Sequence, residues 1–280
     1  DLFREDKVRR FWARRPDSAW RPALLSRLNR FVDRDPKADA FWRMFFGVGL
    51  QNTADPFYSH RRRWDNTSQM KRVFAPEFRA QMLGDDDLLA DLESYLDPGR
   101  ARWHPLCRAQ YLEMTLFMSG YLLSSQGDRM MMGHSVEGRV PFLDHRLIEL
   151  AARIPPKFKL RGLQEKFILK HAFADILPAI ITERPKQPYR APIGAAFAGA
   201  DNLASRLLGR DALERTGFAN AGAVEKLLSK AGPDGTGLGE RDEMALSTVA
   251  SLQLLNHLFV DNFKIASRET PHEERTAVAQ

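Results

Sequence analysis

The chain has 280 residues, 44% of them hydrophobic and 28% charged, enough apolar material for one large or two small cores. No run approaches the roughly 18 apolar residues that cross a bilayer, and the first residues are charged rather than signal-like, so no membrane partner and a cytoplasmic location are expected. The single cysteine, Cys107, excludes an internal disulfide and a multi-cysteine metal site, while a net charge of +6 and a pI near 9.5 suit either nucleic acid or substrates rich in phosphate and carboxylate.

In chain order, Asp1 to Arg4 carries neither Met nor a capping turn before a helical stretch, which reads as a piece of something longer. Arg4, Lys7, Arg9, Arg10, Arg14, Arg15, Arg21, Arg27 and Arg30 crowd the first thirty residues. Such a run is expected to be a solvated helix face. A nucleic-acid module would interleave exposed aromatics or Gly with these cations in a recognisable motif, and none is present.

Apolar periodicity broken by Pro and Gly predicts a mainly helical chain. Helices are expected at Leu2 to Arg14, Trp20 to Phe31, Asp39 to Phe46, Pro76 to Leu83 and Asp86 to Leu96. From Leu106 to Leu123 apolar residues face every side, with Tyr111, Met114, Met118 and Tyr121 on one stripe, so this helix is expected to be buried and its methionines to fill core gaps.

The stretch from Gly127 to Arg146 mixes charge with an apolar run. Glu137 and Arg139 form either a buried ion pair or the lining of an internal passage, because unpaired buried charge is costly. His134 and His145 lack a third ligand at metal spacing and are expected to be structural. Asp144 is placed to cap a helix reaching about Arg153, with Leu147, Ile148, Ala151 and Ala152 as its stripe, and Pro155 and Pro156 stop it.

A further helix is expected from Gln164 to Phe173. The loop from Glu183 to Pro192 then carries Arg184, Lys186 and Arg190 with Tyr189 and several prolines. Taken alone it is either an ordinary surface loop or a stiff cationic loop suited to an anion, where a cation near a phosphoryl group stabilises developing charge. Short helices are expected near Ala195 to Leu208 and Ala223 to Ser229, then a Gly-rich tip from Gly232 to Gly239. A closing helix presents Met244, Thr248, Leu252, Leu255 and Phe259, widened by Ala245 and Val249. The polar tail, 268–280, is expected to be disordered. Neither an internal repeat nor a domain boundary is visible, and residues 1–267 read as one unit. Walker and dinucleotide loops, a nucleophile elbow and an ordered Ser, His and Asp set are all absent.

Asp128, Arg129 and Met130, followed by Val136 through Arg146, resemble the synthetase-domain signature of glutamine-dependent asparagine synthetases. Leu160 to Gly162, Lys166 to Lys170, Leu177 and Pro178, Arg184 to Gln187, Arg241 to Leu246 and Gln253 to Leu255 are similar to later parts of the same domain. The likeness spans roughly Arg108 to Phe259. It implies that this mainly α stretch is the C-terminal helical portion of an α/β PP-loop synthetase domain whose parallel sheet lies mostly upstream of Asp1. Without that sheet, exposed apolar surface and poor solubility or association are expected.

The resemblance implies ATP-dependent adenylation of an acid, aspartate in the type reaction, followed by attack of ammonia released from glutamine in a separate N-terminal glutaminase domain. Lys186 then aligns with a lysine that contacts the phosphates, with Arg184 and Gln187 in the same loop. Glu137, Gly138 and Arg139 fall beside the ammonia route, and Asp128 and Arg129 shape the pocket. The family's nucleophilic Cys, its pyrophosphate loop and the acidic motif that helps hold Mg are not in this sequence, so the isolated chain is expected to be inactive. A homodimer is compatible with the pattern. Pro188, Tyr189 and Arg190 depart from the Gly-Phe that often follows the lysine, which leaves a paralogous amidotransferase acting on another acid, or a non-catalytic basic helical module, as alternatives.

Overall fold

The computed structural model describes residues 2–28, 36–82, 84–184, 193–197, 202–232 and 235–263. They are mainly helical, and the chain divides into two compact units, Asp1–Asp65 with Leu89–Gln187, and Asn66–Leu88 with Pro188–Gln280.

The first unit is organised around the opening helix, Leu2–Ala13. Its acid Glu5 in the first turn and base Arg10 in the last complement the helix dipole. Rather than lying wholly in solvent, the basic run enters the interior: Arg9 is 4% exposed. Its guanidinium donates to three carbonyls, those of Phe46, Val48 and Tyr58, at 3.1–3.2 Å, and lies 4.3 Å from the Tyr58 ring centroid. Arg21, also buried, donates to the Phe11 carbonyl and stacks on that ring. The expected solvated face is therefore corrected for Arg9 and Arg21, while Lys7, Arg14, Arg15 and Arg27 are exposed as expected. Arginine serves here because its planar fork satisfies several backbone acceptors that a short connection leaves without helix or sheet partners.

Around this hub, Val8, Leu25, Leu28 and Phe46 form one apolar cluster, and Glu5, also buried, accepts a two-pronged bond from Arg63 at 2.6 and 3.0 Å. Over its described residues the helix expected from Trp20 is a 3-10 turn, Pro22–Arg27, while Pro36–Gly47 is helical as anticipated. A second cluster joins Phe57, Leu96 and Leu112. His104 caps the helix Pro105–Leu112 by accepting the Leu106 N–H at Nδ1, 3.1 Å away, and that helix buries Leu106, Ala109 and Leu112.

The buried helix expected from Leu106 to Leu123 ends there. Glu113–Asp128 winds as a π-helix, in which each carbonyl bonds five residues on, so stripes drawn for a 3.6-residue turn no longer line up. Met114, Phe117, Tyr121 and Leu122 are exposed rather than core. The helix expected from Gln164 is also revised. Leu160–Arg161 and Gln164–Glu165 pair antiparallel, with Leu160 opposite Glu165, and Gly162 at φ 59° turns the chain between them. The helix starts only at Phe167 and ends at Ala172.

In the second unit, Val73, Phe74, Leu208, Leu213, Ala219, Val224, Ala245, Leu246 and Val249 form one closed cluster. Phe74 bridges to Ala219, locked by Ala75 N–H to Phe218 O at 3.0 Å and Asn220 N–H to Val73 O at 2.9 Å. Asn220 then caps Ala221–Leu228, and a helix not anticipated, Arg210–Thr216, supplies Leu213. The closing helix, Glu240–Asn256, buries Ala245, Leu246, Val249 and Gln253. Ala245, Val249 and Leu252 of the expected stripe pack on the cluster, whereas Met244, Leu255 and Phe259 are exposed, so the docking stripe is shifted toward the Ala245 and Val249 side. The shift follows from small side chains, Ala245 and Val249, which permit close approach. Glu243 on this helix accepts the Gly194 N–H at 3.0 Å. There the backbone passes so near Gly235 that a Cβ on Gly194 would come within 2.3 Å of its carbonyl oxygen, which explains glycine at 194.

Candidate functional site

The signature stretch forms one continuous local structure in the first unit. The π-helix hands over to Arg129–Gly133, with Asp128 and Arg129 at the junction and both exposed. The chain then turns through Ser135 at φ 56°. Met131 O accepts from His134 N–H at 3.0 Å and Val136 N–H at 2.8 Å, and the His134 ring donates from Nδ1 to Met130 O at 2.8 Å. His134 is thus a turn-forming residue, as expected.

Beyond the turn the chain extends. Residues two apart on an extended chain share a face, and Arg139 Nη2 donates to Glu137 Oε2 at 2.7 Å. The pair forms, but its side chains are 74% and 79% exposed, so the buried version of the reading is corrected. Fully hydrated, it contributes about 0–1 kcal/mol to folding, which leaves both groups energetically free for another task. Gly138 between them lies against Met131, whose Cε would sit 2.5 Å from any Cβ at that position.

Asp144 caps the following helix, His145–Arg153, accepting the Arg146 N–H at 2.9 Å. The Arg146 guanidinium, at 2.7 and 3.0 Å, lowers the Asp144 carboxyl below the ordinary range, with the backbone bond adding to it. Phe142, Leu150, Ile176 and Ile180 are between 57% and 78% exposed, so the signature and the segments after it present an uncovered apolar face.

Asp128, Arg129, Glu137, Gly138 and Arg139 are thus brought into one stretch. Arg184 lies apart in sequence and is held through its carbonyl, which accepts from Lys170 Nζ at 3.0 Å. Lys186 and Gln187, with the rest of the cationic loop, lie outside the described residues. No three His, Cys, Asp or Glu side chains converge on a metal-sized site among the described residues. None of the described helices is long and apolar enough to cross a membrane.

Sequence reasoning overlooked a second constellation, in which Ser59 Oγ lies 2.8 Å from His60 Nδ1 and Glu113 Oε1 lies 3.0 Å from His60 Nε2. It has the order of a nucleophile, base and orienting acid. His60 is 4% exposed and joins the helix Tyr58–Ser68 to Glu113, so the arrangement holds helices together.

The sequence model of the asparagine synthase family matches residues 5–256. The chain belongs to the asparagine synthase family. Among curated relatives, the amidase chyE of Penicillium rubens is 36% identical over 145 residues, 48% of this chain and 22% of that protein. Asparagine synthetase [glutamine-hydrolyzing] 3 of Bacillus subtilis is 48% identical over 79 residues, 28% of this chain and 12% of that protein. A putative asparagine synthetase of Mycobacterium tuberculosis is 34% identical over 145 residues, 52% of this chain and 21% of that protein. The chain therefore spans less than a quarter of the length of these relatives. No solved structure matches. For this family member, mainly helical structure agrees with the sequence expectation.

Proposed function

We propose that this chain is the helical C-terminal portion of an ATP-dependent amide ligase that converts aspartate to asparagine. A carboxylate oxygen of the acid attacks the α-phosphorus of ATP and pyrophosphate leaves. Ammonia drawn from glutamine by a separate glutaminase portion then attacks the acyl carbon, AMP departs, and the proton is passed to solvent. In this reading Lys186, with Arg184 and Gln187, contacts the phosphates, Glu137, Gly138 and Arg139 border the ammonia route, and Asp128 and Arg129 shape the pocket. The enzyme works in the cytoplasm, and this chain alone is inactive.

The observation that carries the reading is the match to the asparagine synthase family over residues 5–256. The exposed Glu137 and Arg139 pair supports it, because charges that do little for folding remain free to act on a substrate. A second reading, amidation of a different acid, is favoured by the relatives named amidases and by Pro188 to Arg190 after the lysine. The non-catalytic basic module is disfavoured, since Arg9 and Arg21 are spent on interior carbonyls.

The test is ATP and pyrophosphate exchange by the full-length parent with aspartate. Aspartate-dependent exchange that falls about a hundredfold or more in Lys186→Ala supports the reading. Exchange that requires another acid selects the second reading, and exchange indifferent to Lys186→Ala removes the role given to that residue.

A further inference from the structure

A cavity of about 540 Å³ in the first unit falls in the range of small-molecule sites; it contains none of residues 128–146, though Leu160 and Gly162 line it. One wall is a face of the opening helix, where Phe3, Lys7, Arg10, Phe11 and Arg14 recur at helical spacing. Arg27 and Lys157 add charge from two other segments, while Val8, Leu24, Leu106, Leu160 and Leu163 make an apolar floor.

The charge is lopsided. Five cations line the space against one carboxylate, Asp6, which is already engaged by Arg10 at 2.9 and 3.0 Å. Lys7 donates to Leu160 O at 3.1 Å and so ties the hairpin to the helix as a wall. Desolvation pushes the Lys7 ammonium down from its ordinary value. His104, also lining the cavity, is held below the ordinary imidazole range by desolvation and then by the charge of Lys7. Cations three and four apart on one helix repel by about 0.2–0.5 kcal/mol each, and a low-dielectric concave wall concentrates their field. A bound anion would relieve that repulsion, and the apolar floor calls for a hydrophobic body behind it.

We propose that this cavity is a binding site for a small aryl anion, a phosphate or carboxylate carried on an apolar ring, with Arg14 and Arg27 meeting the charge and Leu24 and Leu163 the ring. The site is separate from the ligase reading and stands whether or not that reading holds. Phenyl phosphate titrated into the 280-residue chain by calorimetry is expected to bind saturably at one site. Arg14→Gln with Arg27→Gln, both exposed positions whose loss leaves the fold intact, should weaken it about tenfold or more. Leu163→Trp, which fills the floor, should abolish it. Inorganic phosphate should bind about tenfold more weakly than the aryl ester, and phenol not measurably. Absence of saturable heat, or an affinity unchanged in both variants, overturns the proposal, as does equal binding of inorganic phosphate, which would reduce the site to a diffuse cationic patch.

Discussion

The cluster formed by Val73, Leu213, Val224, Leu246 and Val249 and the stretch from Met114 to Ile181 use similar apolar side chains to opposite ends. In the first, Leu213, Val224, Leu246 and Val249 are at 0% exposure. In the second, Phe117, Phe142, Leu150, Ile176 and Ile180 stand open to solvent, and the family signature lies among them. Burial in the closed cluster stabilises the chain, whereas apolar surface left open does not and invites association. The difference teaches that apolar residues of the same kind stabilise the chain in the closed cluster and contribute little to it around the signature.

The sharpest way to break that comparison is to attack the interior. Arg9→Met removes the shared donor of three carbonyls, two of those bonds being buried, which should cost about 3–5 kcal/mol, measured as a shift in the urea midpoint. Equal leucine truncations come next. Leu246→Ala should cost about 2–5 kcal/mol through transfer and cavity terms, and Leu150→Ala less than about 0.5 kcal/mol. Comparable losses at both positions would end the distinction drawn between the two regions.

Smaller still is a pH effect within the first unit. His104 holds its imidazole neutral, because burial and then Lys7 depress its folded pKa, and Nδ1 accepts the Leu106 N–H. As pH falls through about 6.5, the unfolded chain takes up the proton first, so stability drops until the folded pKa has also been passed. His104→Asn keeps a capping acceptor and should flatten that slope below about pH 6.5, read from thermal melts across pH.

Several elements were legible because their signals are local. Asp144 ahead of an apolar stripe marks a cap, and the opposite charges of Glu137 and Arg139, two residues apart, suggested a pair, which forms. The hairpin at Gly162 had a turn residue but only two-residue strands, too short for alternation to register. The π winding of Glu113–Asp128 has no residue signature, and it displaced the expected burial of Met114 and Tyr121. Exposure of the signature, the shifted stripe of the closing helix and the inward course of Arg9 depend on what packs where, and no pattern within a segment carries that. Lys186 and Gln187 stay at the level of resemblance, outside the described residues.

We propose that Arg139, whose pairing with Glu137 does little for folding, borders the ammonia route. The decisive measurement is a paired assay of the full-length parent, aspartate-dependent pyrophosphate exchange beside amide formation, comparing Arg139→Gln with a surface change in the second unit, Arg215→Gln. Exchange retained while amide formation falls about tenfold or more in Arg139→Gln alone is the expected result. Amide formation in Arg139→Gln equal to that of the wild type and of Arg215→Gln would contradict it.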